Sequence, residues 1–168
     1  MIVTSTGIVD GVIERKYGKH GAHFNINGMP TYSLPFSVEG APEQTVCYAI
    51  VLEDKDAFPV SGGFSWIHWT AANIMKTELE ENESQTATDF VQGVNSWISM
   101  QGGVQGAELS SFYGGMAPPD DTHIYELHVY ALDTKLELEN GFHFNQLHRQ
   151  MDGHIVDQYT LKGVYHHE

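Results

Sequence analysis

The chain has 168 residues, and its 8 lysines and arginines against 22 aspartates and glutamates give a formal net charge of −14 at pH 7. This length predicts a single domain over residues 1–168, large enough to bury a core without disulfide or metal support. The few basic residues are scattered, which excludes nucleic acid as a default partner because phosphate backbones are bound by clustered basic side chains. The only cysteine, Cys47, excludes an intrachain disulfide and any zinc site built from several thiolates.

No membrane insertion is expected. The longest unbroken apolar run covers residues 46–52, far short of the roughly 20 residues that a bilayer-spanning helix requires. The first residues show no basic region followed by an apolar one, so no signal peptide is expected. A reduced, cytoplasmic location is the simplest hypothesis, and the lone thiol agrees with it.

Strand patterns dominate the chain. Residues 45–52 are apolar or β-branched on both parities, which predicts a strand buried on both faces. Residues 66–73 predict a second strand, and residues 123–133 a third, whose odd-numbered face turns polar toward its start. A last strand is predicted over about residues 154–165.

Helix signals are weaker and lie near the C-terminus. Apolar and aromatic residues at positions i, i+3, i+4 and i+7 between Phe144 and Met151 predict one helix. Asn140 or Asn145 is expected as its N-cap and Gly153 as its stop.

Two further segments are predicted to lie on the surface. The acidic run 78–83 is expected to form a solvated loop or a short helix. Residues 93–115 are rich in glycine, serine and glutamine, which is typical of a long loop, and loops of this length are often functional or mobile. Together, these patterns predict a mostly-β domain with one or two C-terminal helices.

Polar side chains that could take part in binding or catalysis follow or interrupt the first two strands. Asp54 and Asp56 are two residues apart after the first strand, so an extended backbone would point them the same way. An ordinary strand exit, in which aspartate bonds its own backbone, explains them as well. His68 lies between Trp66 and Trp69, where it is either a satisfied core residue or a pocket group.

Two more candidates lie further along the chain. In segment 113–119, Gly114 and Gly115 would let backbone N–H groups approach a ligand, and two prolines then fix the chain; alternatively the segment is only a rigid turn. His123 and Tyr125 share a face at the start of the third strand, where that face turns polar and a pocket would open.

These four segments, in this order, resemble the phosphatidylethanolamine-binding protein (PEBP) family, in particular its bacterial branch related to Raf kinase inhibitor protein. The family's acidic motif, Asp-Pro-Asp-Ala-Pro, is similar to residues 54–59, and its His-Trp strand is similar to residues 68–69. Its Gly-x-x-Pro-Pro and His-x-Tyr motifs are similar to residues 115–119 and 123–125. Each motif alone is weak, but the combination is specific.

The resemblance spans residues 45–165 and has departures. Lys55 replaces the first proline of the acidic motif, and Phe58 moves the second proline by one residue. The family's Ser-Pro-Pro-Leu segment is only loosely similar to residues 32–36. Residues 96–112 form a longer segment than in simpler bacterial members, which is expected to alter the rim of a pocket more than its floor.

The resemblance implies a β-sandwich of two sheets with one or two C-terminal helices and a small pocket for phosphate-sized anions, such as a phospholipid headgroup. The ligand-binding residues it implies, with the neighbouring tyrosine, are Asp54, Asp56, His68, Tyr113, Gly114, Gly115, His123 and Tyr125. No cofactor, metal or catalytic residue is expected. Bacterial relatives are often paired, so a homodimer is a further expectation, and no protein target is specified.

Such a pocket has a plausible chemistry. The two histidines, Tyr125 and the backbone N–H groups of the two glycines are expected to donate to phosphoryl oxygens. The two aspartates would accept hydrogen bonds from the imidazoles, orient them and favour their protonated form. The affinity for an anion is therefore expected to improve as the pH falls through the histidine range.

Two other functional classes stay open. Two aspartates and two histidines could hold zinc, manganese or iron for hydrolysis. Against a hydrolase, the chain has neither a His-Glu-x-x-His pair nor a Gly-x-Ser-x-Gly nucleophile elbow. By resemblance alone, the protein could instead inhibit a kinase or protease by contact, for which Phe58, Phe112 and Tyr113 are candidate rim aromatics, although packed loop positions explain them too.

Overall fold

The computed structural model describes residues 1–168 and consists mainly of two β-sheets. The strands are β1 Ile2–Thr4, β2 Ile8–Val9, β3 Val12–Ile13, β4 Phe36–Glu39, β5 Cys47–Asp54, β6 Trp66–Ile74, β7 Glu78–Leu79, β8 Val91–Gln92, β9 His123–Leu132 and β10 Ile155–Tyr165. The helices are α1 Phe58–Ser61, α2 Glu83–Thr86, α3 Ala107–Ser110 and α4 Phe144–Met151. The small sheet has the order β1-β4-β7 and the large sheet the order β2-β3-β10-β9-β5-β6-β8.

The large sheet is covered on both faces, which explains why β5 is apolar on both parities. On one face Ile50 packs into the main core, together with Phe36 from the small sheet. On the other face Val51 packs into a second core, together with Leu147 from α4. The central strand therefore separates two hydrophobic cores, and the predicted sandwich with both faces of this strand buried is confirmed.

The predicted central strands are present, and only their boundaries differ. The first strand begins and ends two residues later than predicted, because its pairing with β9 continues until Asp54 lies opposite Tyr125. The second and third strands differ from the prediction by one residue at their ends. The strand that carries the acidic motif therefore includes Asp54 as its last residue, rather than leaving it in a loop.

The C-terminal helix covers the predicted residues but has a different cap. His143 is the N-cap of α4, and its backbone N–H donates to Oε1 of Gln146 at 2.8 Å. Asn145 lies inside the helix, and the Asn140 side chain instead accepts a hydrogen bond from the backbone N–H of Gln92 at 2.9 Å. The prediction of an asparagine cap was wrong, because Asn140 stabilises the neighbouring β8.

The two surface segments contain more regular structure than predicted. Glu78 and Leu79 form β7 of the small sheet, because Leu79 packs into the main core, and α2 begins at Glu83. The long segment 93–115 contains a 3-10 turn over Ser96–Ile98 and the single-turn helix α3. No helix in the structure has the length and apolar character needed to cross a membrane.

Candidate ligand-binding pocket

Three central strands of the large sheet bring polar side chains to one end of that sheet. The antiparallel register places Asp54, the last residue of β5, opposite Trp66 in β6 and opposite Tyr125 in β9. β5 ends where β6 and β9 begin, so residues far apart in the sequence become neighbours. The geometry of the sheet alone therefore joins the acidic, His-Trp and His-x-Tyr segments.

A β-bulge sets the direction of the His68 side chain. The pairing of β6 with β5 shifts by one residue between Trp69 and Ile67, which leaves His68 as the extra residue. Bulges of this kind increase the local twist and re-aim a side chain. His68 and Trp69 are consequently both buried although they are consecutive, with Trp69 in the main core.

A cavity of about 190 Å³ opens at this end of the sheet. Its walls are mostly aromatic and apolar, with a few polar groups at the floor. The lining residues are Asp54, Ala57, Val60, Trp66, His68, Trp97, Gln101, Ala117, Pro119 and Tyr125. Three of the eight residues expected in the pocket, namely Asp54, His68 and Tyr125, line it directly.

His123 is buried and held between two carboxylates. Its Nδ1 lies 2.8 Å from Oδ2 of Asp54, and its Nε2 lies 2.8 Å from Oδ1 of Asp120. Burial alone lowers the pKa of His123, but the hydrogen bonds and charges of Asp54 and Asp120 outweigh burial and raise that pKa above its ordinary value. The protonated ring donates both N–H groups to the protein, so none is left for the phosphoryl contact expected of His123.

The two aspartates hold the ends of β5 and β9 together. Oδ1 of Asp54 accepts from the backbone N–H of Asp56 at 2.9 Å, which is the local turn that its position after a strand suggested. Oδ2 of Asp56 accepts from the backbone N–H of Ile124 at 2.9 Å, and Asp56 does not line the cavity. Asp54 therefore serves both the turn and the pocket, whereas Asp56 anchors the neighbouring strand.

His68 presents an acceptor to the cavity rather than a donor. Its Nδ1 lies 2.7 Å from the carbonyl oxygen of Gly114, and a carbonyl only accepts, so Nδ1 carries the proton. Burial lowers the pKa of His68, although the charge of Asp54 and the contact with Gly114 act in the opposite direction. The ring is therefore neutral near pH 7, and its Nε2, which has no hydrogen-bond partner in the protein, carries a lone pair.

Two side chains of the cavity wall carry donors that are covered in the free protein and have no hydrogen-bond partner within bonding geometry. They are the indole N–H of Trp66 and the hydroxyl of Tyr125, and these side chains belong to residues that are 7% and 1% exposed. A buried polar group without a partner costs about 1–3 kcal/mol, so this arrangement calls for an external acceptor. Burial is the main cause that raises the pKa of Tyr125 far above its usual value, and the nearby carboxylate of Asp54 adds to it. The Tyr125 hydroxyl therefore keeps its proton, and although Asp54 is close, no hydrogen bond of normal geometry joins the two groups.

The segment with the two glycines packs beside the cavity instead of lining it. Tyr113 is fully buried in the main core, where its hydroxyl donates to a backbone carbonyl at 2.7 Å. The N–H groups of Gly114 and Gly115 donate to the carbonyl oxygens of His68 and Pro30, each at 2.8 Å. The backbone approach expected of these glycines is therefore unavailable to a ligand.

The long segment 93–115 supplies two cavity residues that the sequence motifs did not indicate. The ring of Trp97 stands edge-on to those of Trp66 and His68, with centroid distances of 5.3 Å in both pairs. Gln101 lines the cavity from the same segment. The glycine-rich composition of this segment predicted only a loop. Trp97 contacts Trp66 and His68 because the 3-10 turn places its ring over the strands.

The cavity residues do not form the metal cluster considered for a hydrolase. Asp54 and His123 bond to each other, and Asp56 bonds to the backbone. The three acidic and histidine side chains whose ligand atoms converge are Glu53, Glu126 and His128, on the opposite face of the sheet.

A family model described as phosphatidylethanolamine-binding protein matches residues 4–166. The chain belongs to the PEBP family. Among its relatives, the uncharacterized protein YxkA of Bacillus subtilis strain 168 is 39% identical over 151 residues, which cover 88% of this chain and 89% of YxkA. The family resemblance carried by the four segments is thereby confirmed.

Two crystal structures of PEBP relatives share the fold. The putative PEBP homolog CT736 from Chlamydia trachomatis D/UW-3/CX matches with a TM-score of 0.80 and 29% identity, covering 99% of this chain and 97% of CT736. YbcL from E. coli, described as a new member of the mammalian PEBP family, matches with a TM-score of 0.74 and 25% identity, covering 98% and 96% of the two chains.

Proposed function

We propose that this protein is a non-catalytic binding module for small ligands with a phosphoryl group, such as phosphoethanolamine-like headgroups. The observation that carries the proposal is that Trp66, His68 and Tyr125 line one cavity, and that the Trp66 N–H and Tyr125 O–H are unpartnered donors which a small shift of each ring would uncover for a ligand. Phosphoryl oxygens are strong acceptors of the kind these donors lack. Membership in a family described by phosphatidylethanolamine binding supports a ligand with a phosphoryl group. That lipid is a phosphodiester, so the preference for a monoester argued below comes from the pocket and not from the family description.

The cavity lining lacks the hydroxyl, thiol and amine nucleophiles of serine, threonine, cysteine and lysine, which supports a binding role over turnover. None of the ten lining residues is a serine, threonine, cysteine or lysine. Both ring nitrogens of His123 are engaged by carboxylates, which leaves Nε2 of His68 as the free imidazole nitrogen of the cavity. No serine, threonine or cysteine of the lining stands beside it, and that pairing is what a serine- or cysteine-type hydrolase requires.

Proton balance defines which phosphoryl ligand fits best. The cavity holds a neutral His68, and the positive charge of His123 is already shared by Asp54 and Asp120. A phosphate monoester monoanion brings its own proton: its P–OH donates to Nε2 of His68, while its other oxygens accept from the two free donors. A diester has no such proton and would require His68 to be protonated at the cost of burial.

The test is a titration with O-phosphorylethanolamine, followed by tryptophan fluorescence and by the His68 ring signals in NMR spectra. Saturable binding is expected, and it should be roughly 25-fold tighter at pH 5.5 than at pH 7.5, the ratio of monoanion populations for a second pKa of about 6. The diester glycerophosphoethanolamine should bind more weakly at pH 6.5.

Matched variants assign the contacts. Tyr125→Phe removes one donor and should weaken binding by roughly tenfold, as expected for about 1.4 kcal/mol from a hydrogen bond to a charged group. His154→Gln, at an exposed residue just before β10 and at the opposite end of the sheet from the cavity, should leave the affinity unchanged. Binding that is absent up to millimolar concentrations, or equal in Tyr125→Phe and independent of pH, would contradict the proposal.

A further inference from the structure

Two glutamates face each other on the side of the large sheet that lies opposite the cavity. Glu53 in β5 is paired directly with Glu126 in β9. Since successive residues alternate between faces, both point away from the face that carries Asp54 and Tyr125. Their side chains are only 15% and 13% exposed, and like charges directly opposite each other destabilise a sheet. The pair therefore requires a compensating cation.

His128 completes a set of three converging ligand atoms. Its Nε2 lies 2.8 Å from Oε1 of Glu53 and 3.4 Å from Oε2 of Glu126, and all three atoms lie within 4.8 Å of one another. Ligands about 2.1 Å from a metal ion are separated by about 3.0 Å in octahedral and about 3.4 Å in tetrahedral coordination. The two measured separations are close to these values.

The groups behind these ligands also have the arrangement found around metal sites. Nδ1 of His128, the nitrogen that faces away from the glutamates, lies 2.8 Å from the hydroxyl oxygen of Thr160. The hydroxyl of Ser65 donates to Oε2 of Glu53 at 2.7 Å, which leaves Oε1 of that carboxylate directed toward His128. Hydrogen bonds to the outer nitrogen and the outer oxygen fix ligand orientation in metalloproteins.

Two lysines occupy the position of the compensating cation. Lys55 and Lys162 lie 2.7 Å and 2.9 Å from the oxygens of Glu126. Their side chains are 59% and 61% exposed, so each can move its ammonium group into water without unfolding the site. A divalent ion would replace two loosely held ammonium groups of charge +1 by one ion of charge +2 bound directly to three ligands.

We propose that Glu53, Glu126 and His128 bind a divalent transition-metal ion, with Zn²⁺ as the best match, on the sheet face opposite the cavity. One imidazole and two carboxylates suit Zn²⁺, Co²⁺ and Mn²⁺ better than Ca²⁺ or Mg²⁺, which prefer oxygen ligands. The ion links β5 to β9 directly behind the residues that form the cavity floor, so its role is structural. The site is independent of phosphoryl binding.

The first measurement is a calorimetric titration of the metal-free protein with ZnCl₂. A saturable site with one ion per chain is expected, and His128→Gln should weaken it at least tenfold. His154→Gln is the matched control, because His154 also pairs with a carboxylate at 2.8 Å but has no second acidic partner among the described contacts. Lys162→Met removes a competing cation and should tighten Zn²⁺ binding.

The second measurement locates the ion without any substitution. Mn²⁺ added to the unmodified protein should broaden the NMR signals around residues 53, 126 and 128 before any others. The adjacent terminal histidines, His166 and His167, are the competing site, and the double variant His166→Gln/His167→Gln should keep its zinc affinity. Absence of saturable binding, or binding that survives in His128→Gln and is lost in the terminal double variant, would overturn the proposal.

Discussion

Replacing His123 by glutamine tests the buried link between β5 and the segment before β9. In the wild-type protein the imidazolium donates to Asp54 and to Asp120 at the same time. The neutral amide of glutamine supplies no positive charge, so the buried carboxylate of Asp54 is left without a charged partner. We expect a lower free energy of unfolding, and the size of this decrease should depend on pH.

The magnitude follows from burial. The side chains of His123 and Asp54 are 3% and 4% exposed, and removing one partner of a buried ion pair costs about 3–5 kcal/mol. Asp54 keeps its hydrogen bond from the backbone of Asp56, which places the expected loss at the lower end, about 3 kcal/mol. For a chain of this size, that loss corresponds to a decrease of about 6–12 °C in Tm.

The pH dependence has a defined sign. Because the pKa of His123 is higher in the folded state than in the unfolded chain, the stabilisation is complete below the unfolded value of about 6.5 and is lost as the pH rises through the folded value. A neutral ring has one N–H and cannot donate to two carboxylates. The difference between wild type and His123→Gln should therefore shrink toward alkaline pH.

Urea unfolding followed by tryptophan fluorescence, from pH 5.5 to 9, measures this difference. The control His154→Gln removes an exposed partner of Asp133 and should change the free energy of unfolding by less than about 0.5 kcal/mol at every pH. Equal stability of His123→Gln and wild type at pH 6, or a deficit that stays constant up to pH 9, would refute the assignment of a protonated link.

Three further substitutions test the packing around the site, each measured by thermal unfolding beside the phosphorylethanolamine titration. Gly115→Ala places a Cβ 2.4 Å from the carbonyl oxygen of Tyr17, and we expect a loss of about 1–3 kcal/mol; unchanged stability would contradict the packing. Tyr113→Phe removes the hydroxyl that donates to the same carbonyl, and it should cost about 1 kcal/mol of stability without changing ligand affinity. Weaker binding would indicate that Tyr113 contacts the ligand. Leu147→Ala creates a void behind β5 and should cost about 2–5 kcal/mol, and a smaller loss would indicate that α4 is loosely packed.

The central strands could be predicted because their signal is local. Residues 45–52 are apolar on both parities, and this pattern requires a cover on each face whatever the details of that cover. The resemblance implied a second sheet, but its strands β1, β4 and β7 were not located, because they have only two to four residues and no periodicity can be read from them. The N-cap of α4 was missed because Asn140 bonds to Gln92, a residue 48 positions away.

For the site, the motifs located the correct end of the sheet but not the roles of its side chains. Asp54, His68 and Tyr125 line the cavity, whereas Tyr113 and the two following glycines pack behind it. A motif records which residues are near a site, but it does not record which hydrogen bonds are already satisfied. The free donor of Trp66 depends on the register with β5, and no property of that residue type reveals it.

The two buried histidines show how the same residue type acquires opposite properties from its partners. His123 is placed between Asp54 and Asp120, and its pKa is raised; His68 faces a carbonyl, and burial lowers its pKa. The two carboxylates favour the charged form of His123, and burial favours the neutral form of His68. The His123 ring therefore holds the ends of the strands, and in the proposed function the neutral His68 ring accepts the P–OH group of the ligand. In the proposed function, an acidic chain with a net charge of −14 would bind a phosphoryl group without a cation dedicated to the ligand, because the ligand and its proton would enter together.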